Sequence, residues 1–353
     1  MPLFKGGCAA GGVGVTANAG TAPDELERIA LAASAGFEAP AAIRASEILL
    51  DGIRLPFSEA HPVDDGATLA FGALPGAVEP GFATRASPAP FPFPVVTLGG
   101  VTGELRFPIV DSPLGDPVQL TAADVSAAIA AAAARSQRTR AAIRRPLGVA
   151  MQCFIAVVDR SGNVLGAFRT PDATLFSFDV AIQKARTAAF FSDDGHGYTT
   201  RALGFLAQGL YPPGIDATNP GPLHGLQDAL VFAGENVSGR LNDGITIFPG
   251  GVPLYKAGVL VGAIGVSGDG VDQDDLVAAS GADAGLAAPT TVRCDLLSES
   301  ETARGLDHAL DRMASLSLDA SVLSQVALCQ SRLAQGLQGL RLPWVKFPRE
   351  PDR

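Results

Sequence analysis

The feature that most restricts the fold is an internal echo. Pro2-Leu3-Phe4-Lys5, followed by Gly7, Gly11, Gly14 and Val15, recurs as Pro253-Leu254-Tyr255-Lys256, followed by Gly258, Gly262, Gly265 and Val266. The offset is 251 residues throughout, and seven of fourteen positions are identical. Further matches follow in the same order: Asp24-Glu25-Leu26 with Asp274-Asp275-Leu276, Gly36–Pro40 with Gly285–Pro289, and Ile53-Arg54-Leu55-Pro56 with Leu340-Arg341-Leu342-Pro343. Ordered matches of this kind point to duplication with divergence. The second copy carries an insertion at 297–339 in which Leu323, Val326, Leu333, Leu337 and Leu340 fall on one helical stripe, so the spacing predicts a helical hairpin. The first copy opens inside a predicted strand. A lone strand pair is marginal, so it is expected to add to the other domain's sheet, to pair with another chain, or to find its partner strand upstream of Met1.

Composition narrows the class. Of 353 residues, 47% are hydrophobic and 18% charged, which excludes wholesale disorder. Twenty-six basic residues against 36 acidic ones give a net charge of -10, which argues against nucleic-acid or anionic-membrane partners. Cys8, Cys153, Cys294 and Cys329 show no CxxC spacing, hence neither a disulfide framework nor a zinc signature. The sequence contains no signal-peptide core and no run near the roughly 20 apolar residues that span a bilayer. It reads as soluble, and as cytoplasmic if the given N-terminus is the true one.

The domain plan runs as follows: 1–60, a partial repeat; 61–119, a connector rich in proline and glycine; 120–296, the complete domain; 297–339, the inserted hairpin; 340–353, a tail. Pro75, Pro80, Pro88, Pro90, Pro92 and Pro94 forbid helix in the connector, where Val95–Leu98 and Glu104–Ile109 are short strand candidates. In the complete domain, Thr121 with Asp124 has the pattern of a capping box. The helix it opens is expected to end at Pro146, with Arg135, Arg138, Arg140, Arg144 and Arg145 at its far end. Cys153–Val158, a turn at Asp159–Asn163 and Val164–Phe168 predict a β-hairpin. A second helix is expected from a cap at Asp179 through Phe191, then a long excursion from Ser192 to Asn242. Strands at Ile245–Phe248, Val252–Lys256 and Val259–Val266 follow, and a last helix opened by Asp272. Adjacent strands joined by tight turns require an antiparallel sheet covered by helices, an α+β class.

These residues carry a resemblance. Ala156-Val157-Val158-Asp159 with Gly162-Asn163-Val164-Leu165, Arg169-Thr170-Pro171-Asp172-Ala173, Lys184-Ala185-Arg186-Thr187-Ala188, Gly250-Gly251-Val252-Pro253-Leu254 and Gly262–Gly268 together resemble the haem-degrading, GlcG-like family. The likeness covers about 120–290, and residues 1–60 resemble only that family's second half. It implies an antiparallel sheet of about five strands with flanking helices, assembly into homo-oligomers and, in some members, binding or breakdown of haem. Such members are said to use donors near the first helix, yet Thr121–Arg145 holds no His, Met, Tyr or Cys.

Candidate site residues come from residue chemistry. Haem iron takes His, Cys, Met or Tyr as axial ligand. His224 and His196, both in the long excursion, are the candidate haem-iron ligands; the alternative is a solvated loop histidine. His61 and His308 are the remaining histidines. Arg169 and Asp172 after the hairpin, with Lys184 and Arg186 on the second helix, form a candidate patch gripping propionates or another carboxylate. The alternative is structural pairing of Arg169 with Asp172, or of Asp179 with Arg186. Cys153 and Met151 read as core. Three functions are compatible: a haem- or tetrapyrrole-binding protein with possible slow breakdown of its ligand, an enzyme acting on a small organic acid, and a non-catalytic assembly protein.

Overall fold

The computed structural model describes residues 2–15, 23–44, 49–50, 53–54, 92–211, 215–225, 241, 243–314, 320–334 and 341–346. The chain forms two compact units, 1–78 and 79–353.

In the first unit, β1 (Pro2–Lys5) and β2 (Cys8–Gly12) form an antiparallel hairpin. Its turn residues Gly6 and Gly7 have φ of 59° and 81°, a region open to glycine at no steric cost. Helix α1 (Pro23–Ala33) follows. The Phe4 amide donates to the Phe37 carbonyl beyond it, at 2.8 Å. Two-residue strands β3 (Leu49–Leu50) and β4 (Ile53–Arg54) pair antiparallel.

The second unit is built on six antiparallel strands: β5 (Val95–Leu98), β6 (Val101–Phe107), β7 (Cys153–Asp159), β8 (Val164–Arg169), β9 (Gly251–Lys256) and β10 (Val259–Gly268). Their order across the sheet is β5-β6-β8-β7-β10-β9. The fold is α+β, with one strand more than the five implied by the resemblance. The hairpin β5–β6, lying in the stretch expected as connector, supplies the far edge by pairing β6 with β8.

Helices cover both faces. β7 alternates sides: Cys153, Ile155 and Val157 join a core with Val125, Ile129 and Ala132 of α2 (Ala122–Ser136) and Val277 and Ala278 of α5 (Val271–Ala282). Phe154, Ala156 and Val158 face the alanines 181, 185, 188 and 189 of α3 (Ser177–Phe191). Every residue of β7 is buried, which is why the strand reads as an unbroken apolar run. The hairpin turn into β8 is tied by the buried Asp159, whose Oδ1 accepts the amides of Ser161 and Asn163 at 2.8 and 3.0 Å.

The capping box forms as expected: Thr121 Oγ1 accepts the Asp124 amide, and Asp124 accepts the Thr121 amide at 2.9 Å. Helix α2 ends at Ser136, well short of Pro146. The hydroxyls of Ser136 and Thr139 turn back onto the Ala133 and Arg135 carbonyls, and Arg144 is drawn away to Asp269 and Asp172. Ile245–Phe248 is irregular rather than a strand. Asp272 lies in the first turn of α5 but does not cap it; Gly270 holds the cap position with no side-chain bond. Within the excursion, α4 (Thr200–Leu206) is capped by Thr199, whose Oγ1 accepts the Ala202 amide.

Residues 299–334 hold two helices, α6 (Glu299–Ala314) and α7 (Ala320–Ala334). Their inward positions are Leu306, Ala309 and Leu310 on one, and Val326 and Cys329 on the other. Leu323, expected on the apolar stripe, is 38% exposed. Leu337 and Leu340 lie outside the described residues.

Candidate functional site

Two arrangements have chemical potential: a cavity beside α4 and a histidine–aspartate pair after α3. Between α3 and β9 lies the Gly250-Gly251 edge, which settles the fate of the sequence-predicted patch.

At that edge the polypeptide folds around Lys184. A Cβ at Gly250 would run into the Val266 carbonyl and press on Lys184 Nζ; one at Gly251 would run into the Lys184 carbonyl and Thr200. The two glycines let β9 lie directly on α3. Lys184, 1% exposed, donates to Asp274 Oδ2 at 2.8 Å and to the Val266 carbonyl at 2.9 Å. Burial pushes the Asp274 carboxyl up to about 6, against the pull of Lys184. Next to it Asp275, fully buried and likewise raised by burial, accepts Arg201 Nε at 2.5 Å and the Lys346 amide at 2.8 Å. Asp272 accepts Arg201 Nη2 at 2.7 Å and also pairs with Lys346 Nζ. Partial burial works against its charge, but these two cations hold its carboxyl below the ordinary range.

The predicted carboxylate patch is therefore not an open one. Lys184 is committed to Asp274. Arg186, 2% exposed, donates to the Gly162 carbonyl and pairs with Asp243 at 2.9 Å. Arg169 donates to the Ala173 carbonyl and pairs with Glu104 at 3.3 Å, while Asp172 pairs with Arg144. The structure does not bring the four together, and each salt bridge is made with a partner other than those the sequence suggested.

Arg201 also lines a cavity of about 540 Å³. Its walls are one side of α4 through Phe205, Gln208 just beyond that helix, the loop Ile247–Pro249, and Arg341-Leu342-Pro343 from the C-terminal stretch. Close approach of α4 to the loop depends on Gly204, where a Cβ would strike the Ile247 carbonyl. Nothing in the spacing of the sequence foretold this joining of residues far apart in the chain.

The histidines separate clearly. His196 Nδ1 lies 2.9 Å from Asp193 Oδ1, and the side chain lies close against Gly305 of α6, where a Cβ would collide with it. The ring is about one-fifth exposed, and Nε2 has no hydrogen-bond partner among the described residues. His224 is exposed, with Nδ1 3.4 Å from the Ala207 carbonyl and no carboxylate paired with it among the described residues. His308 is exposed on α6, and His61 lies outside the described residues.

A haem iron would need one of a short list of donors. Cys153, Cys294 and Met151 are buried in the core, and burial pushes both thiols up. The Tyr198 and Tyr255 hydroxyls donate to carbonyls of Thr302 and Asp193. His196 fits, because an imidazole whose Nδ1 is held by a carboxylate presents Nε2 in a fixed direction, the usual arrangement behind a metal-bound histidine. The cavity beside α4 contains none of these donor types. Among the described residues no group of three or more His, Cys, Asp or Glu is placed to hold a metal ion, and no helix is long and apolar enough to cross a membrane.

Fold and sites define a three-layer α+β domain, a six-stranded antiparallel sheet between helices. The chain belongs to the family described as haem degrading protein HbpS-like, whose model matches residues 120–283. It is 32% identical over 152 residues to an uncharacterized 15.0 kDa protein of Citrobacter freundii, covering 43% of this chain and 88% of that one. It is 30% identical over 139 residues to the corrinoid adenosyltransferase PduO of Salmonella typhimurium, covering 39% of this chain. The chain spans only 33% of the length of that PduO. Among solved structures it is similar to Klebsiella pneumoniae ORFY (28% identity, TM-score 0.34, 49% of this chain and 95% of that one) and to a PduOC:heme complex (27% identity, TM-score 0.32, 47% and 95%).

Proposed function

We propose that this chain binds haem or a related tetrapyrrole, with His196 as the residue that would hold the iron. The observation that carries the reading is the His196–Asp193 pair in a chain of the HbpS-like family. Bound haem would supply one-electron and oxygen chemistry; the residues of the chain hold and orient it. Asp193 fixes the imidazole tautomer and the ring direction, and Gly305 keeps the ring against the backbone of α6. His224, with no carboxylate partner among the described residues, is the weaker donor of the two. Slow breakdown of the ring and assembly of several copies belong to the same reading, and loss of the Soret band under reductant and oxygen, with sedimentation mass, would test them.

The test of binding is titration of the full chain with hemin. A saturable Soret shift is expected, lost in His196→Ala and kept in His224→Ala. No saturable shift, or a shift indifferent to His196, refutes the assignment. The organic-acid reading finds no support in the geometry, since Arg169 and Lys184 are engaged by the protein itself.

A further inference from the structure

The cavity beside α4 calls for a ligand of its own. Its walls are Phe205, Ile247, Phe248, Leu342 and Pro343, apolar and in part aromatic. Phe248, one of its walls, is 56% exposed, so its ring is accessible to a ligand. A volume of about 540 Å³ falls inside the roughly 300–1,000 Å³ typical of small-molecule sites.

Two guanidiniums reach this cavity, and they differ in what they have left to offer. Arg201 is neutralised by Asp275 and Asp272. Arg341 gives only Nε, to the Asp295 carbonyl at 2.7 Å, and its two Nη groups have no partner among the described residues. A planar fork of donors at the rim of an apolar slot is complementary to a carboxylate carried on a flat apolar body. We propose that this cavity binds a flat aromatic carboxylate or similar organic anion, its rings between Phe205 and Phe248 and its charge on Arg341. The site is separate from His196, which is absent from its walls, and it depends on residues 341–343, beyond the stretch the family model matches. Iron is not needed there.

The test uses two fluorescent probes of one shape with the intact chain: anilinonaphthalene sulfonate, an anion, and phenylnaphthylamine, its neutral counterpart. Both should bind saturably. Arg341→Gln should weaken the anion about tenfold, the loss of one charged hydrogen-bonded contact, and leave the neutral probe unchanged. Phe248→Ala should weaken both. Hemin at saturation of its Soret shift should displace neither probe. Absence of binding, or equal effects of Arg341→Gln on the two probes, would each overturn the proposal. Displacement with the Soret shift intact would fault only the separateness of the site, while loss of the Soret shift with probe binding intact would fault only the haem reading.

Discussion

Lys184 and Asp274 meet at 2.8 Å in the protein interior, joining α3 to α5 across the edge where β9 leaves the Gly250-Gly251 turn. Both side chains are almost wholly enclosed. Removing one partner strands a charge away from water, at a cost of about 3–5 kcal/mol, whereas replacing both with apolar groups is often close to neutral. Lys184→Met should therefore destabilise the domain by about 3 kcal/mol at pH 8 in urea unfolding. Lys184→Met combined with Asp274→Leu should recover most of that loss. A double variant no better than the single one would show that the pair does more than satisfy itself.

The same pair gives a pH signature. In the folded chain burial raises the Asp274 carboxyl to about 6, with Lys184 opposing; in the unfolded chain it titrates near the ordinary value of about 3.9. Between these values the folded state holds the proton and the unfolded state has lost it, so this group's contribution to stability falls as pH rises from about 4 to about 6. Glu104 and Asp124, held below the ordinary range by their cation partners against partial burial, pull the other way. The comparison that isolates Asp274 is wild type against Asp274→Asn. Wild-type stability relative to the variant should decline across that window and level off above it. Parallel pH curves would contradict the assignment.

What the sequence revealed and what it hid divide along contact distance. Thr121 with Asp124, the glycine turn at Gly258 and the run from Cys153 to Asp159 were legible because their physics is local: a cap three residues away, a positive φ, a strand buried on both faces. Lys184 and Arg186 suggested an open basic patch because nothing near them in the chain discloses their partners. Those partners are Asp274, 90 residues on, and Asp243, on the far side of the excursion. The end of α2 was misplaced for the same reason, since Arg144 answers to Asp269, 125 residues away. The cavity was invisible in principle: Phe205, Phe248 and Arg341 share no motif or spacing, and only the fold brings them to one place. His196 was recognisable as a histidine of the long excursion, but neither its pairing with Asp193 nor its seat against Gly305 was.

Gly265 and Gly258 predict losses of different size, with different causes, for one substitution. At Gly265 of β10 a methyl group would run into the Ala181 carbonyl and the Ala185 amide of α3, both backbone groups inside a close-packed layer. Gly265→Ala should cost about 3 kcal/mol or more, since the whole helix must shift. At Gly258 there is open space, and only the φ of 82° resists a side chain. Gly258→Ala should cost about 1 kcal/mol from the left-handed backbone alone. Thermal melts of the two variants should rank in that order, and a Gly265→Ala protein as stable as Gly258→Ala would mean that α3 does not sit as closely as described.

The two hairpins of the sequence echo make the last prediction. Lys5 pairs with Cys8, Phe4 with Ala9 and Leu3 with Gly11, the register shifting after Phe4. At the 251-residue offset, Lys256 pairs with Val259, Tyr255 with Leu260 and Leu254 with Gly262, with the shift at the corresponding place. The turns match as well, φ 59° and 81° at Gly6 and Gly7 against 51° and 82° at Ala257 and Gly258. One difference is the residue itself: the first hairpin has glycine where the second holds alanine in the left-handed region, which costs an L-residue about 1–2 kcal/mol. Glycine relieves that strain but gives the unfolded chain more freedom, so the gain is smaller than the strain. Ala257→Gly should stabilise the second unit by about 0.5–1 kcal/mol, a rise of about 1–4 °C in melting temperature for a domain of this size. A fall instead would mean that the alanine conformation is not the strained one its φ describes.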